Sequence, residues 1–167
     1  MRGKQPHFRI LFSLLAFMAA SAPKSEVSAE DSVPGQVLVV LASEQAGDID
    51  PELAQISALR KPPFSSFRSM KVLTRTDIVL KPGQPFTVSL PNGRHLMLTL
   101  TERMPDGRSK LQLSINRPNE KDYLPLLEVK AKPGEPFFLA GQAYEGGTLV
   151  VGVRVGATPE PHRPTQK

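Results

Sequence analysis

The 167-residue chain contains no cysteine and no tryptophan, and it has only two tyrosines and three histidines. Without cysteine there is no disulfide framework, no thiol chemistry and no lipid-modified cysteine anchor, so the fold depends on its apolar core. Without tryptophan, the sequence lacks the aromatic platform usual in carbohydrate-binding modules. It also lacks the interleaving of basic and aromatic residues that is typical of nucleic-acid binders. Tyr144, in a predicted loop, is the one candidate for sugar stacking. A packed or merely exposed loop tyrosine is the simpler interpretation.

Histidine is too sparse to indicate catalysis. Only His95 lies in the central part of the chain, on the outward face of a predicted strand. A general base needs a nucleophile and an orienting partner, and no Gly-x-Ser-x-Gly or His-Glu-x-x-His motif supplies them. The sequence therefore predicts a protein that is not an enzyme and that uses no cofactor and no metal.

Two local patterns have an alternative, ligand-binding interpretation. Carboxylates alternate in Asp48–Glu52, as in some calcium loops, but Pro51 and a predicted helix follow at once. Helix capping by Asp50 accounts for the pattern without calcium. Gly146-Gly147 precedes a strand rather than a helix, so these glycines indicate a turn and not a phosphate-binding loop.

The N-terminal residues predict a secretion signal. A basic start is followed by the apolar run Ile10–Ala20, which is too short to span a bilayer. Cleavage is predicted after Ala29, and retention of the segment as an anchor is the alternative. The predicted organisation is a signal peptide at 1–29, a leader at 30–35, a β-rich domain at 36–155 and a disordered tail at 156–167. The mature chain is predicted to be periplasmic or extracellular, with no remaining membrane span.

Charge is unevenly distributed along the chain. Residues 30–59 carry six acidic and no basic side chains, whereas residues 60–117 carry eleven Lys/Arg and three acidic residues. The predicted mature chain has seventeen basic and fifteen acidic residues, which gives no basis for nucleic-acid binding. Arg103, Arg108 and Lys110 are predicted to cluster near a hairpin turn, where they are candidate contacts for an anionic polymer. Scattered charges on outward strand faces are the simpler interpretation.

The hydrophobic pattern predicts a mainly β protein. The continuous apolar run Gln36–Ser43 predicts a strand buried on both faces. Asp50–Arg60 predicts the one helix, with Asp50 as N-cap, and its apolar residues recur every three positions. From Phe64 onward the period is two, and Pro-Asp-Gly at 105–107 predicts a hairpin. The predicted strands are 67–73, 76–80, 86–90, 94–102, 110–116, 123–129, 136–140 and 147–155. The fold class is an antiparallel β-sandwich or open barrel with one short helix.

A ten-residue sequence motif occurs in two similar copies, KPGQPFTVSL at Lys81–Leu90 and KPGEPFFLAG at Lys132–Gly141. Pro-Gly at the centre predicts a type II turn, since the second central residue needs a positive φ. Phe86 and Phe137 are predicted to enter the core at equivalent points. Two similar strand-turn-strand-turn-strand units are therefore predicted to form the halves of one sandwich, and a repeated ligand loop is the alternative.

The order of Asp48–Phe67, Lys81–Leu100 and Gly146–Val155 resembles that of small exported β-rich proteins of unknown function from Gram-negative bacteria. The resemblance covers residues 36–155 and implies export and a β-rich fold, but no activity. The ending Phe137–Val153 also resembles the closing part of outer-membrane secretins, which implies an envelope-assembly context.

These features predict a non-enzymatic envelope protein that binds another protein, as an accessory of secretion, motility or surface machinery. Strand edges are candidate docking sites by strand addition. The prolines that flank such edges are Pro82, Pro85, Pro133 and Pro136. The alternative is a binding module for an anionic envelope polysaccharide, which would use Arg103, Arg108 and Lys110.

Overall fold

The computed structural model describes residues 32–117 and 122–156. The predicted signal peptide, its cleavage site and the predicted tail from Ala157 onward lie outside these residues. None of the helical segments in the described part has the length and hydrophobicity of a membrane-spanning helix.

The described residues form eight strands and three short helical segments. The strands are β1 Val33–Ser43, β2 Ser69–Leu80, β3 Pro85–Ser89, β4 His95–Arg103, β5 Ser109–Asn116, β6 Tyr123–Ala131, β7 Phe137–Tyr144 and β8 Gly147–Val155. The helical segments are α1 Pro51–Ala54 and the 3₁₀ turns Ser57–Arg60 and Phe64–Ser66. The first strand begins at Val33, three residues before the predicted strand start at Gln36.

Two open antiparallel sheets of four strands face each other. Sheet A has the order β2-β1-β8-β7, and sheet B has the order β3-β4-β5-β6. The predicted fold class is confirmed as a sandwich of open sheets. The two strands predicted at 67–73 and 76–80 are one continuous strand, β2, in which the register shifts at Leu73.

The central strands of sheet A, β1 and β8, are buried on both faces, whereas sheet B is buried on one. Side chains of one phase in β1 and β8, such as Val37 and Val153, join the core between the sheets. Side chains of the other phase, such as Val40 and Val150, pack under the helical segments with Leu53 and other apolar residues. This double burial explains why β1 and β8 are continuous apolar runs rather than alternating ones.

The prediction of one continuous helix over Asp50–Arg60 is wrong. One α-turn ends at Ala54, and a separate 3₁₀ turn follows from Ser57. Leu53, Ile56 and Leu59 are spaced by three residues, which suits the three-residue period of a 3₁₀ helix better than the 3.6-residue period of an α-helix. Leu53 and Leu59 are buried against sheet A. Tertiary packing therefore decides the local geometry.

Asp50 occupies the N-cap position of α1, but its side chain does not cap the helix. Its Oδ2 accepts a hydrogen bond of 2.7 Å from the backbone N–H of Val72 in β2. The backbone N–H of Asp50 donates to the Met70 carbonyl at 2.9 Å. Asp50 thus fixes the start of the helical segments to strand β2, beside the register shift.

The eight strands form two equivalent halves, β1–β4 and β5–β8. In each half the first two strands pair in one sheet and the last two pair in the other sheet. The sequence predicts halves of one sandwich, and the structure shows how they interlock, because each half contributes two strands to each sheet. The pairing registers of the two halves agree. Val33 pairs with Leu80 as Ser109 pairs with Ala131. Phe86 pairs with Leu98 as Phe137 pairs with Val153.

The repeated Lys-Pro-Gly-x-Pro segments are the two connections between the sheets. Residues 81–84 lead from β2 in sheet A to β3 in sheet B, and residues 132–136 lead from β6 in sheet B to β7 in sheet A. In each turn the residue after glycine donates its N–H to the lysine carbonyl, at 3.1 and 3.2 Å. Gly83 and Gly134 have φ of 71° and 75°, as the predicted type II turns require.

Candidate functional site

A groove of about 410 Å³ lies between α1 and the outer face of sheet A. The helical segments cover the part of this face that contains Val40 and Ala42 of β1. They leave uncovered the part that contains Leu38 and Gln36, and this part forms the bottom of the groove. Glu52, Gln55 and Ile56 line the groove from the helical side, so the groove begins where the helical cover ends.

Two rows of side chains that cross the four strands of sheet A form the groove floor. In the first row β2, β1, β8 and β7 contribute Arg75, Leu38, Gly152 and Phe138. In the second row β1 and β8 contribute Gln36 and Arg154, and Pro136 lies just before β7. Asp77 of β2 continues this row beyond the residues that line the groove. Members of a row are neighbours in space because paired strands lie about 4.8 Å apart.

Ion pairing in the groove leaves one cation unpaired. Arg75 forms an ion pair with Glu52, at the helical wall. Gln36 donates from Nε2 to Asp77 Oδ1 at 2.8 Å. Arg154 is half-buried and has no hydrogen-bond or ion-pair partner in the described part of the chain. The groove therefore presents a free guanidinium beside apolar side chains.

The apolar side of the groove depends on a close contact between Phe138 and Gly152. A Cβ atom at Gly152 would lie 2.5 Å from Cε1 of Phe138, so only glycine lets the ring lie over this strand position. The same ring packs edge-on against Phe64, with centroids 6.0 Å apart. Phe138 thus joins the helical cover to the groove floor.

The sequence predicted no site at this groove. Its lining residues come from β1, α1, β2, β7 and β8, and only the strand pairing brings them together. One signal was available. Arg154 is the single charged residue in the apolar strand Gly147–Val155, and a charge within a strand buried on both faces indicates a gap in the covering layer.

The predicted anionic-polymer patch is only partly assembled. Arg108 is held by Asp106, with Nε 2.7 Å from Oδ2. Lys110 Nζ lies 3.1 Å from Oε1 of Glu128. These acidic partners on the same surface offset the charges that the sequence assigned to polymer binding.

Regular alternation from His95 predicts that Arg103 lies on the outward face of its strand, but in the structure Arg103 has the opposite phase. The register between β4 and β5 shifts between Leu100 and Glu102. Beyond the shift Glu102 faces Lys110, and Arg103 faces the buried Ser109. Arg103 therefore lies near the turn but does not share the outward strand phase of Lys110.

The Asp106–Arg108 contact perturbs both groups. The hydrogen bond from the Arg108 side chain, followed by the bond from its backbone N–H, lowers the pKa of Asp106 below its ordinary value. The same side-chain hydrogen bond raises the pKa of Arg108. Both side chains are exposed, so the pairing orders the turn more than it stabilises the fold.

Tyr144, the candidate for sugar stacking, is half-buried and packs against the core between the sheets. Its hydroxyl is hydrogen-bonded to Glu145, which raises the pKa of Tyr144 above 10.0. Part of the Tyr144 ring is therefore packed against the core rather than exposed to solvent.

His95 has a neighbour that the sequence analysis did not anticipate. Ser89 Oγ lies 3.2 Å from His95 Nδ1, across the pair of β3 and β4. The bond is exposed and lies on the outer phase of an open sheet. Within residues 32–117 and 122–156, no side chain is hydrogen-bonded to Nε2 of His95, so these residues supply no third group that would orient the imidazole.

The acidic run Asp48–Glu52 has structural partners. The Asp50 carboxylate accepts a hydrogen bond from the backbone of β2, and Glu52 forms an ion pair with Arg75. Residues 32–117 and 122–156 contain no group of three or more His, Asp or Glu side chains placed to hold a metal ion.

The β6/β7 side of the sandwich leaves its core least covered. The short connection at 132–136 places these two edge strands on the same side. Seven partly buried hydrophobic side chains pack against the core between the sheets, and five of them lie on this side: Leu127, Val129, Phe137, Leu139 and Tyr144. On β6, Leu124 and Leu126 are 39% and 43% exposed. This surface is named the β6/β7 side below.

Comparisons with protein-family models, with curated proteins and with solved structures found no match for the chain.

Proposed function

We propose that this chain is a non-enzymatic exported protein of the cell envelope that binds another protein through the β6/β7 side. In this proposal it acts as an accessory of secretion, motility or surface-assembly machinery. The single observation that supports a protein partner most strongly is the exposure of Leu124 and Leu126 beside a partly buried core edge. Clustered apolar exposure of this kind is typical of protein interaction surfaces.

The occupant we propose is an extended segment of the partner, added to the free edge of β6. The register between β5 and β6 is continuous from Leu127 to Ala131, where an added strand finds an ordered template. Toward the other end, Pro125 lacks an N–H and Leu126 lies at a register shift. These two features limit uncontrolled pairing of the edge, and Leu124 and Leu126 remain as apolar contacts for the partner.

A photo-cross-linking residue at position 124 tests this proposal in the cells that make the protein. We expect an adduct with one protein species. A matched variant with the cross-linker at Val79, which is 55% exposed on β2 at the other side of the sandwich, should not give that adduct. Leu124→Lys combined with Leu126→Lys should remove the interaction, and Val79→Lys should keep it.

Two outcomes would overturn the proposal. An adduct of twice the chain mass from position 124 would show that the occupant is a second copy of this chain. Retention of a polysaccharide with no protein adduct at position 124 would instead favour the alternative, an anionic-polymer binding module.

A further inference from the structure

We propose that the groove on the outer face of sheet A binds a carboxylate attached to an apolar group. This inference is independent of the β6/β7 side, because the groove lies on the outer face of sheet A and not at the edge of β6. A groove of about 410 Å³ is in the range that holds small ligands or one or two side chains of a peptide.

The charge of the lining residues favours an anion. Arg75 and Arg154 are the cations and Glu52 is the one acid among the residues that line the groove. Glu52 already engages Arg75, which leaves Arg154 to supply the anchoring charge. Asp77 lies in the same row as Arg154, but two strands away, and its carboxylate accepts from Gln36. The planar guanidinium of an unpaired arginine matches a carboxylate with two parallel hydrogen bonds.

The apolar lining favours a ligand with a hydrophobic part. Leu38, Ile56 and Phe138 border the groove near Arg154, and Pro136 closes the end of the second row. An apolar group packed on Phe138 would place an attached carboxylate toward Arg154, since their rows are adjacent on the sheet. A peptide C-terminus with an apolar last residue and a fatty acid share this chemistry.

Titration of the purified protein with defined probes tests the inference, with backbone NMR shifts of β1 and β8 as the readout. The probes are N-acetylphenylalanine, decanoate, the uncharged N-acetylphenylalanine amide and inorganic phosphate. We expect at least one of the two carboxylates to bind in the groove, and the amide and phosphate to bind at least tenfold more weakly. Preference for N-acetylphenylalanine would assign the site to a peptide terminus, and preference for decanoate would assign it to a fatty acid.

Substitution then identifies the anchoring charge. Arg154→Gln should weaken carboxylate binding about tenfold or more, because it removes a charge-assisted hydrogen-bond donor. It should leave the fold intact, since Arg154 has no partner in the described residues. Arg103→Gln, at an exposed arginine of sheet B, is the matched control and should leave binding unchanged. Equal binding of acid and amide, unchanged binding in Arg154→Gln, or no binding of either carboxylate would each overturn the inference.

Discussion

Phe86 and Phe137 occupy equivalent positions in the two halves of the chain. Phe86 pairs with Leu98 across β3 and β4, and Phe137 pairs with Val153 across β7 and β8. Both rings follow a Lys-Pro-Gly-x-Pro connection, and both pack against the core between the sheets. They are partly rather than fully buried, so each ring closes an open side of the core instead of filling its centre.

Phe86→Ala and Phe137→Ala should therefore cost similar amounts of stability. Full burial of a phenylalanine side chain predicts a loss of about 3–5 kcal/mol on truncation, and partial burial reduces this to about 2 kcal/mol for each ring. Urea unfolding followed by circular dichroism measures the change. Thr87→Ala, beside Phe86 in the opposite strand phase, is the control and should cost much less. A loss below about 1 kcal/mol at only one phenylalanine would contradict the equivalence of the halves.

Gly83 and Gly134 form the second test of the repeat. Their N–H groups donate to the carbonyls of Leu100 and Val155 at 2.9 and 2.8 Å, which are equivalent positions in β4 and β8. Because both glycines have positive φ, alanine at either position should cost about 1–2 kcal/mol through backbone strain. Thermal unfolding measures the loss. Gln84→Ala, at the next position of the first turn, serves as the control, and an unchanged stability in both glycine variants would show that the turns tolerate a side chain.

The sequence predicted the fold class because its signals are local. The alternation of β4 and β5 around Pro-Asp-Gly and the apolar runs of β1 and β8 each specify a strand without reference to the rest of the chain. The helix at Asp50–Arg60 was mispredicted because packing of Leu53 and Leu59 on sheet A favours separate turns over one continuous helix. The double burial of β1 indicated a covering layer, but not which part of the strand it covers.

The candidate groove could not be predicted in the same way. Gln36, Arg75 and Arg154 are far apart in sequence, and they become neighbours only when β1 pairs with both β2 and β8. The register shift in β4 has a similar consequence at Arg103, because one extra residue reverses the face of every residue beyond it. A register shift leaves no clear mark in the sequence, so the predicted cluster with Lys110 was based on the wrong phase.

The Asp106–Arg108 contact predicts a specific titration. Because the folded-state pKa of Asp106 is lowered, its contribution to stability is present above its unfolded pKa and is lost as pH falls through the folded value. We expect the carboxyl carbon of Asp106, followed by NMR, to titrate below the ordinary value of 3.8. Arg108→Gln should move the pKa of Asp106 toward that value, and Arg103→Gln is the control. Because both groups are exposed, the change in unfolding free energy should be small and should decrease with added salt. An Asp106 pKa that does not move in Arg108→Gln would show that the contact is absent in solution.

The same contacts set the outcome of a test for anionic-polymer binding. Arg108 and Lys110 are paired with Asp106 and Glu128, so the native surface should retain an anionic polysaccharide only weakly. Retention should fall with salt, because exposed charges are screened over about 8 Å at physiological ionic strength. Replacing Arg103, Arg108 and Lys110 together by glutamate should lower the salt concentration at which the protein elutes. The matched double variant Asp106→Asn and Glu128→Gln frees two cations and should raise the eluting salt concentration. Retention that survives both the triple substitution and high salt would show that a different surface, and not this hairpin, contacts the polymer.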